Sequence, residues 1–352
     1  MRPLRIAVAG DRFMLPGVFR EELERALPGA GEVRTLELAW PDEPMHHGYA
    51  GGVERPEIKG LREYFGEPDL IVDFVADADV FVTHLAPVST AMVERLPNLQ
   101  LVAVSRGGPV NIDASGLKAA GIRVVNTPAR NASAVAEFTI GAILAETRLI
   151  RVGHESLREG SWRGDLYRAD TTGTELSELT VGIIGYGAIG TRVVRLLKAF
   201  GCRILVADPY VQLSAQDHAD GVEHTSLESL LERADVVSLH ARVTPETARF
   251  IDADAFARMK RGAVFVNTAR GPLVDYDALY QALAAGHLRG AMLETFAVEP
   301  VPPDWPLLRL PNVTLTPHIA GASTTTVRIA AAMVAEEVRR FASGEGPLNP
   351  VA

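Results

Sequence analysis

Cysteine is nearly absent: the 352 residues contain one, Cys202. No internal disulfide can form, which fits a reducing compartment. Cys202 stands in "AFGCRILVADP", just before an apolar run, where a small buried residue is expected rather than a reactive thiol. Positive charge is also in deficit. With 35 Lys and Arg against 44 Asp and Glu, the net charge is −9. No broad basic field exists to hold nucleic acid or an anionic membrane, so an anionic ligand needs a local cluster of cations. Long hydrophobic runs are missing as well. The opening "MRPLRIAVAGDR" has one short β-like run before charge returns, which is no signal peptide, and no stretch is long enough to span a bilayer. A cytoplasmic protein is expected. Repeats and low-complexity tracts are lacking, and no metal site is expected.

What is present is a 47% hydrophobic, 22% charged chain, the composition of a soluble globular protein long enough for two domains. Short β-branched runs alternate with amphipathic stretches, which predicts parallel α/β architecture. "LRIAVAG", "GEVRTLELA", "DVFVTH", "LQLVAVS" and "GIRVVNTP" read as a first set of strands. A second set runs through "LTVGIIG", "CRILVADP", "ADVVSLH", "AVFVNTA", "GAMLETF" and "VTLTPHIA". Residues 41–68 carry dense turn signals and read as a long excursion. "SAVAEFTIGAILAETRLIRVGHESLREG" reads as one long helical pattern bridging the two sets. "TTTVRIAAAMVAEEVRRFASGEG" reads as a C-terminal amphipathic helix. The expectation is two parallel-sheet domains, Rossmann-like or flavodoxin-like, with an active-site cleft between them. Residues 1–128 with 323–352 form the substrate domain, and 129–322 the nucleotide domain.

"VGIIGYGAIGTRVVRLLKAFG" places Gly185, Gly187 and Gly190 as G-x-G-x-x-G between a strand and a helix. Asp208 ends the next strand about 20 residues on, the spacing a dinucleotide fold needs. The first glycine permits the tight turn, the second lets backbone approach the pyrophosphate, and the third packs helix on strand. Backbone through Ala188 and Ile189 brings N–H donors of the helix start to the phosphates. Asp208 accepts from ribose hydroxyls and repels a 2′-phosphate, so the expected cofactor is NAD.

Three strand ends then draw attention. Arg270 follows "AVFVNTA", Glu299 closes a loop after "GAMLETF", and His318 follows "VTLTP". Singly, each has a bland reading as a surface ion pair, a solvated loop residue or a satisfied polar group. Together they bring a cation, a carboxylate and an imidazole to one edge of a parallel sheet, the edge that carries the glycine loop.

At this point "NASAVAEFTIGAILA", "GYGAIG", "SLHARVTPETARFID", "NTARGPLVD", "EP" and "TPHIAGAS" stand in an order and spacing that resembles the D-isomer-specific 2-hydroxyacid dehydrogenases. That family includes D-3-phosphoglycerate dehydrogenase and glyoxylate/hydroxypyruvate reductase. The resemblance covers almost the whole chain. It implies that Arg270, Glu299 and His318 are catalytic, and that NAD(H) exchanges a hydride with C2 of a small D-2-hydroxy or 2-keto acid. It implies further cofactor contacts at His240, Ala241, Thr268, Ala269, Arg270, Glu294, His318 and Gly321. It places the substrate carboxylate on the backbone of Gly107 and Gly108 in "SRGGPVNID", with Arg270. A homodimer formed through the nucleotide domain is implied.

The sequence departs from the family at four places. Glu294 stands where aspartate is usual, and Arg242 replaces a common proline. The 41–68 excursion is longer than usual. "VTHLAPVS" lacks the arginine that holds a substrate phosphate in phosphoglycerate-specific members, which leaves His84 and Arg106 as substrate-binding candidates. Formate dehydrogenases usually carry glutamine at the position of Glu299. The alternatives kept open are phosphoglycerate dehydrogenase proper, phosphite oxidation, and a non-catalytic NAD-sensing protein of the same fold.

Overall fold

Runs of valine, isoleucine and leucine too short for helices become parallel strands, most of them buried on both faces. The computed structural model describes residues 2–29, 31–40 and 55–351, so the first half of the 41–68 excursion lies outside the described residues. The chain divides into two compact units, Met1–Asn131 with Ala322–Ala352, and Ala132–Gly321. Among the described residues no helix is long and apolar enough to cross a membrane.

The first unit is a five-stranded sheet: β1 (Leu4–Gly10), β2 (Gly31–Glu37), β3 (Val80–Thr83), β4 (Leu101–Val104) and β5 (Arg123–Asn126). Its order is β2-β1-β3-β4-β5 and every pairing is parallel. Alternate side chains face opposite layers. Ile6, Val8 and Val82 pack with Phe19 and Leu23 of the helix Pro16–Ala26 and with Val334 and Val338 of the C-terminal helix Thr324–Ala342. Ala7, Phe81 and Val102 pack on the other face with Ile71, Val75 and Leu117. Ser323 caps the C-terminal helix by accepting the Thr326 N–H at 3.0 Å, a contact worth about 1 kcal/mol. Buried Glu337 accepts the N–H groups of Leu348 and Asn349 and so ties down the tail.

The second unit is a seven-stranded sheet: β6 (Thr180–Ile184), β7 (Arg203–Ala207), β8 (Val222–His224), β9 (Val236–Leu239), β10 (Val264–Asn267), β11 (Gly290–Leu293) and β12 (Val313–Leu315). The order β12-β11-β10-β9-β6-β7-β8 is again parallel throughout. The chain builds outward from β6 through β7 to β8, then returns to β9 on the other side of β6. That reversal opens a crevice at the carboxyl ends of β6 and β9. The edge strand β8 is three residues long, too short to register as a hydrophobic run.

One expectation is corrected. The long pattern beginning at Ser133 is two helices, Ala132–Thr147 and Ile150–Arg158. Leu149 between them adopts φ +57°, a left-handed conformation that ends α-helical propagation. The break lets Arg151 turn back onto buried Glu146 at 3.3 Å and onto the Pro311 carbonyl at 2.9 Å. The contact to Pro311, 160 positions away, has no signal in the local periodicity.

Candidate active site

The crevice of the second unit begins with the glycine loop. Gly185 has φ +94°, and a Cβ there would lie 2.7 Å from the His240 carbonyl carbon. Only glycine satisfies both the turn and the approach of β6 to the end of β9. A Cβ on Gly190 would collide with the Gly185 carbonyl oxygen, so the helix Gly190–Lys198 starts against the strand only because that position is bare. Gly187 and Ala188 are exposed, and nothing stands within 4 Å of the Gly187 Cβ position. The Asp208 carboxylate accepts the N–H of Tyr186 at 2.8 Å and of Tyr210 at 2.9 Å. Each of its oxygens keeps a second acceptor direction. An open turn at a helix start, with a fixed carboxylate one strand away, fits a dinucleotide. His240 borders the turn with Nε2 2.9 Å from Ser238 Oγ. Burial lowers its pKa to about 4, so it is neutral there.

Beyond β10, the buried Asn267 side chain shapes the next turn. Its Oδ1 accepts the Ala269 N–H at 3.0 Å and its Nδ2 donates to the Arg270 carbonyl at 3.3 Å. Thr268 is held by Thr139, with hydroxyls 2.8 Å apart. Arg270 emerges exposed, with Nη1 donating to the Ala269 carbonyl at 2.6 Å. A Cβ on Gly271 would overlap the backbone of Phe296 and Ala297, so the loop after β10 is pressed onto the loop after β11. Tyr276 fastens the two by donating its hydroxyl to the Thr295 carbonyl at 2.5 Å.

The loop after β11 carries Glu299 and the turn after β12 carries His318. Glu299 Oε1 accepts the Phe296 N–H at 2.7 Å, and Oε2 sits 2.8 Å from His318 Nδ1. His318 itself has φ +52°, uncommon for a residue with a Cβ. Its N–H donates to the Glu294 carbonyl at 3.0 Å and the Thr316 carbonyl at 3.1 Å. Glu294, 1% exposed, uses Oε1 to accept the Ala320 N–H at 2.7 Å. The carboxylate that the family resemblance assigns to the cofactor therefore also clamps the turn that holds His318. The imidazole is 30% exposed and Glu299 10%.

Burial works to lower the His318 pKa, but the Glu299 hydrogen bond and the charges of Glu299 and Glu294 outweigh it. The net shift is upward, and Arg270 is close enough to oppose it electrostatically. Burial pushes Glu294 up to about 7, against the pull of His318. A partly exposed imidazole oriented by a carboxylate, beside an exposed guanidinium, can donate and accept a proton next to a fixed cation.

The candidates in the first unit sit at its own carboxyl edge. His84 follows β3 and is 7% exposed. Its Nδ1 is 2.6 Å from Asp11 Oδ2. Burial, which that bond only partly offsets, lowers its pKa to about 4, so at neutral pH it brings no charge to an anion. Arg106 follows β4 and pairs with Glu63, donating to the carboxylate and, at 3.1 Å, to the carbonyl. Gly107 and Gly108 are exposed beside it. Asp11, Glu63 and Arg130 were not singled out from the sequence. The signal for Arg130 was available, since it follows β5 as Arg106 follows β4. The partners Asp11 and Glu63 had no local signal.

Residues 140–320 match the family model described as "D-isomer specific 2-hydroxyacid dehydrogenase, NAD binding domain". A glyoxylate reductase of Korarchaeum cryptofilum is 41% identical over 341 residues, covering 96% of each chain. A D-3-phosphoglycerate dehydrogenase of Mycobacterium tuberculosis is 39% identical over 278 residues, 79% of this chain and 52% of its own. This chain thus spans about half the length of that relative. Among solved structures, the TT0316 protein of Thermus thermophilus aligns with a TM-score of 0.77 and 32% identity, covering 99% of this chain and all of that one.

Proposed function

Because the chain belongs to the D-isomer-specific 2-hydroxyacid dehydrogenases, an NAD-binding oxidoreductase family, we propose that it interconverts a small 2-keto acid and its D-2-hydroxy acid. The observation that carries this reading is the 2.8 Å contact between His318 Nδ1 and Glu299 Oε2, on the sheet edge that also bears the glycine loop and Arg270.

Gly185 to Gly190 and Asp208 would hold the dinucleotide, with His240, Ala241, Thr268, Ala269 and Gly321 lining its path. When bound, the cofactor supplies or accepts the hydride at C2. The chain's own residues do the rest. His318 donates a proton to the keto oxygen in reduction and takes it back in oxidation. Glu299 fixes the ring and stabilises its protonated form. Arg270 offers a planar fork to the carboxylate and the keto oxygen, and so stabilises the charge that develops on that oxygen. The family resemblance assigns backbone N–H groups at Gly107 and Gly108 to carboxylate binding as well. The glyoxylate reductase relative supports a substrate of that small size.

The experiment is NADH turnover against a panel of 2-keto acids, phosphohydroxypyruvate included. NADH binding without turnover of any of them would favour the NAD-sensing reading. Preference for phosphorylated substrates would favour phosphoglycerate dehydrogenase. We also propose a cytoplasmic homodimer. Ile150, Leu157, Trp162 and Tyr167 of the second unit are exposed large apolar groups along one stretch of chain, a pattern that calls for a partner surface. Light scattering should give twice the 37.9 kDa chain mass, and a monomer at micromolar protein would refute it.

A further inference from the structure

We propose that Arg130, beside the Glu63-paired Arg106, forms an oxyanion-binding site at the carboxyl edge of the five-stranded sheet, one that takes a carboxylate or phosphate group. Four strand ends converge there: β1 leads into Asp11, β3 into His84, β4 into Arg106 and β5, through Thr127 and Pro128, into Arg130. The last two turns are stitched together. Thr127 N–H donates to the Arg106 carbonyl at 3.0 Å, and Asn126 Nδ2 to the Gly107 carbonyl at 3.0 Å. A Cβ on Gly107 would sit 3.8 Å from Pro128 Cα, so the two turns touch. Ala129 adopts φ +59°, a left-handed conformation costly for alanine, and this sets the course of the chain into Arg130. Strain of this kind collects at ligand sites.

The formal charges nearly cancel in this cluster, but the hydrogen bonds do not. Asp11 is spent on His84 at 2.6 Å and on the N–H groups of Phe13 at 2.9 Å and Met14 at 2.8 Å. Glu63 is spent on Arg106. Arg130 Nε and Nη1 are buried with no acceptor among the described residues, and Thr127 Oγ1 on the same turn is likewise unpartnered. A guanidinium stays charged in a protein, so unfilled buried donors carry their full desolvation cost. Burial and the nearby Arg106 together lower the Arg130 pKa to about 10, as expected of a cation whose counter-charge is missing. An oxyanion supplies the acceptors and the charge at once. The carboxyl edge of a parallel sheet is where such folds bind ligands.

The site stands on these contacts alone. Assigning its anion to a 2-keto acid rests on the function proposed above, as either the reacting carboxylate or a second anionic group. The test titrates the whole protein, without dinucleotide, with inorganic phosphate and with malonate, followed by calorimetry and by melting temperature. Wild type should bind and melt higher with anion. Arg130→Gln should bind at least ~10-fold more weakly, the worth of one charged hydrogen bond, and its melting temperature should need correspondingly more anion to rise. In anion-free buffer it should melt at or above wild type, because an unpaired buried cation has gone. Should Arg130→Gln not fold, Arg130→Lys decides: one ammonium in place of the fork should also weaken both anions. Turnover then distinguishes the sources. A fall in kcat/KM confined to 2-keto acids with an anionic tail identifies a distal group, and an equal fall across all substrates identifies the reacting carboxylate. Equal uptake of phosphate and malonate by wild type and variant overturns the site, as does no uptake by wild type at millimolar anion. A wild type that binds these anions yet turns over no 2-keto acid would refute the reaction and leave the site standing.

Discussion

Replacing Glu299 with glutamine separates the charge of the His318 partner from its shape. Both carboxylate oxygens are in use, Oε1 by the Phe296 N–H at 2.7 Å and Oε2 by His318 Nδ1 at 2.8 Å. Glutamine keeps one acceptor. If its oxygen stays on Phe296, its NH2 faces Nδ1 and tolerates only an imidazole unprotonated there. If it flips, two donors meet at Phe296 and the imidazolium still loses its counter-charge. Either arrangement disfavours protonated His318 by the worth of a charged hydrogen bond, about 1.5–3 kcal/mol. The sign follows from the raised pKa of His318 in the folded protein. With His318 as the proton donor proposed above, keto-acid reduction needs the imidazolium, so its rate should fall as pH rises through that pKa. In Glu299→Gln the falling limb should move to lower pH. Above it, reduction should be slower by about 10- to 150-fold, since about 1.4 kcal/mol is one decade. At low pH the two proteins should converge. Oxidation of the hydroxy acid needs the neutral ring and should persist to lower pH in the variant. The assay is kcat/KM for reduction and for oxidation from about pH 5 to 9, with NADH affinity measured alongside. An unmoved limb with normal NADH binding would refute the pairing.

If Asp208 holds the ribose as proposed, Asp208→Ser should narrow a preference for NAD over NADP, because a carboxylate opposing a 2′-phosphate is gone; dissociation constants for both cofactors check it, and equal tight binding by wild type would contradict it. Gly271→Ala puts a Cβ into the Phe296–Ala297 backbone and should cost about 1–3 kcal/mol or more by overpacking. It should also lower kcat by parting the loops that carry Arg270 and Glu299, seen by melting and steady-state kinetics. Glu294 has a folded pKa raised from 4.5 to about 7, so the stability it contributes is present below about pH 4.5 and lost as pH rises through about 7. Glu294→Gln still accepts the Ala320 N–H, and its melting profile should lack that fall; identical pH profiles for the two proteins would show that Glu294 does not titrate in this window.

The strands, the glycine loop and the strand-end positions of Arg270, Glu299 and His318 were legible in the sequence because each depends on local pattern. Short apolar runs, bounded by turn residues, specify parallel strands. Glycines at 185 and 190 state a backbone requirement directly, since no other residue meets it. Tertiary structure decided what depends on partners far apart in the chain. The helical pattern from Ser133 breaks at Leu149, and the turn there brings Arg151 onto the Pro311 carbonyl, 160 positions away. His84 becomes a neutral, buried group held against Asp11, 73 positions away. Arg106 is occupied by Glu63, whereas Arg130 at the next strand end keeps two buried donors without an acceptor among the described residues, and nothing in the letters around either arginine distinguishes them. The same holds for His318. Its place at a strand end was legible, but its left-handed backbone and its position between Glu299 and Glu294 exist only once β11 and β12 lie side by side. Local sequence specifies which groups reach the sheet edge, and packing between distant segments sets the charge and hydrogen bonds each one has there.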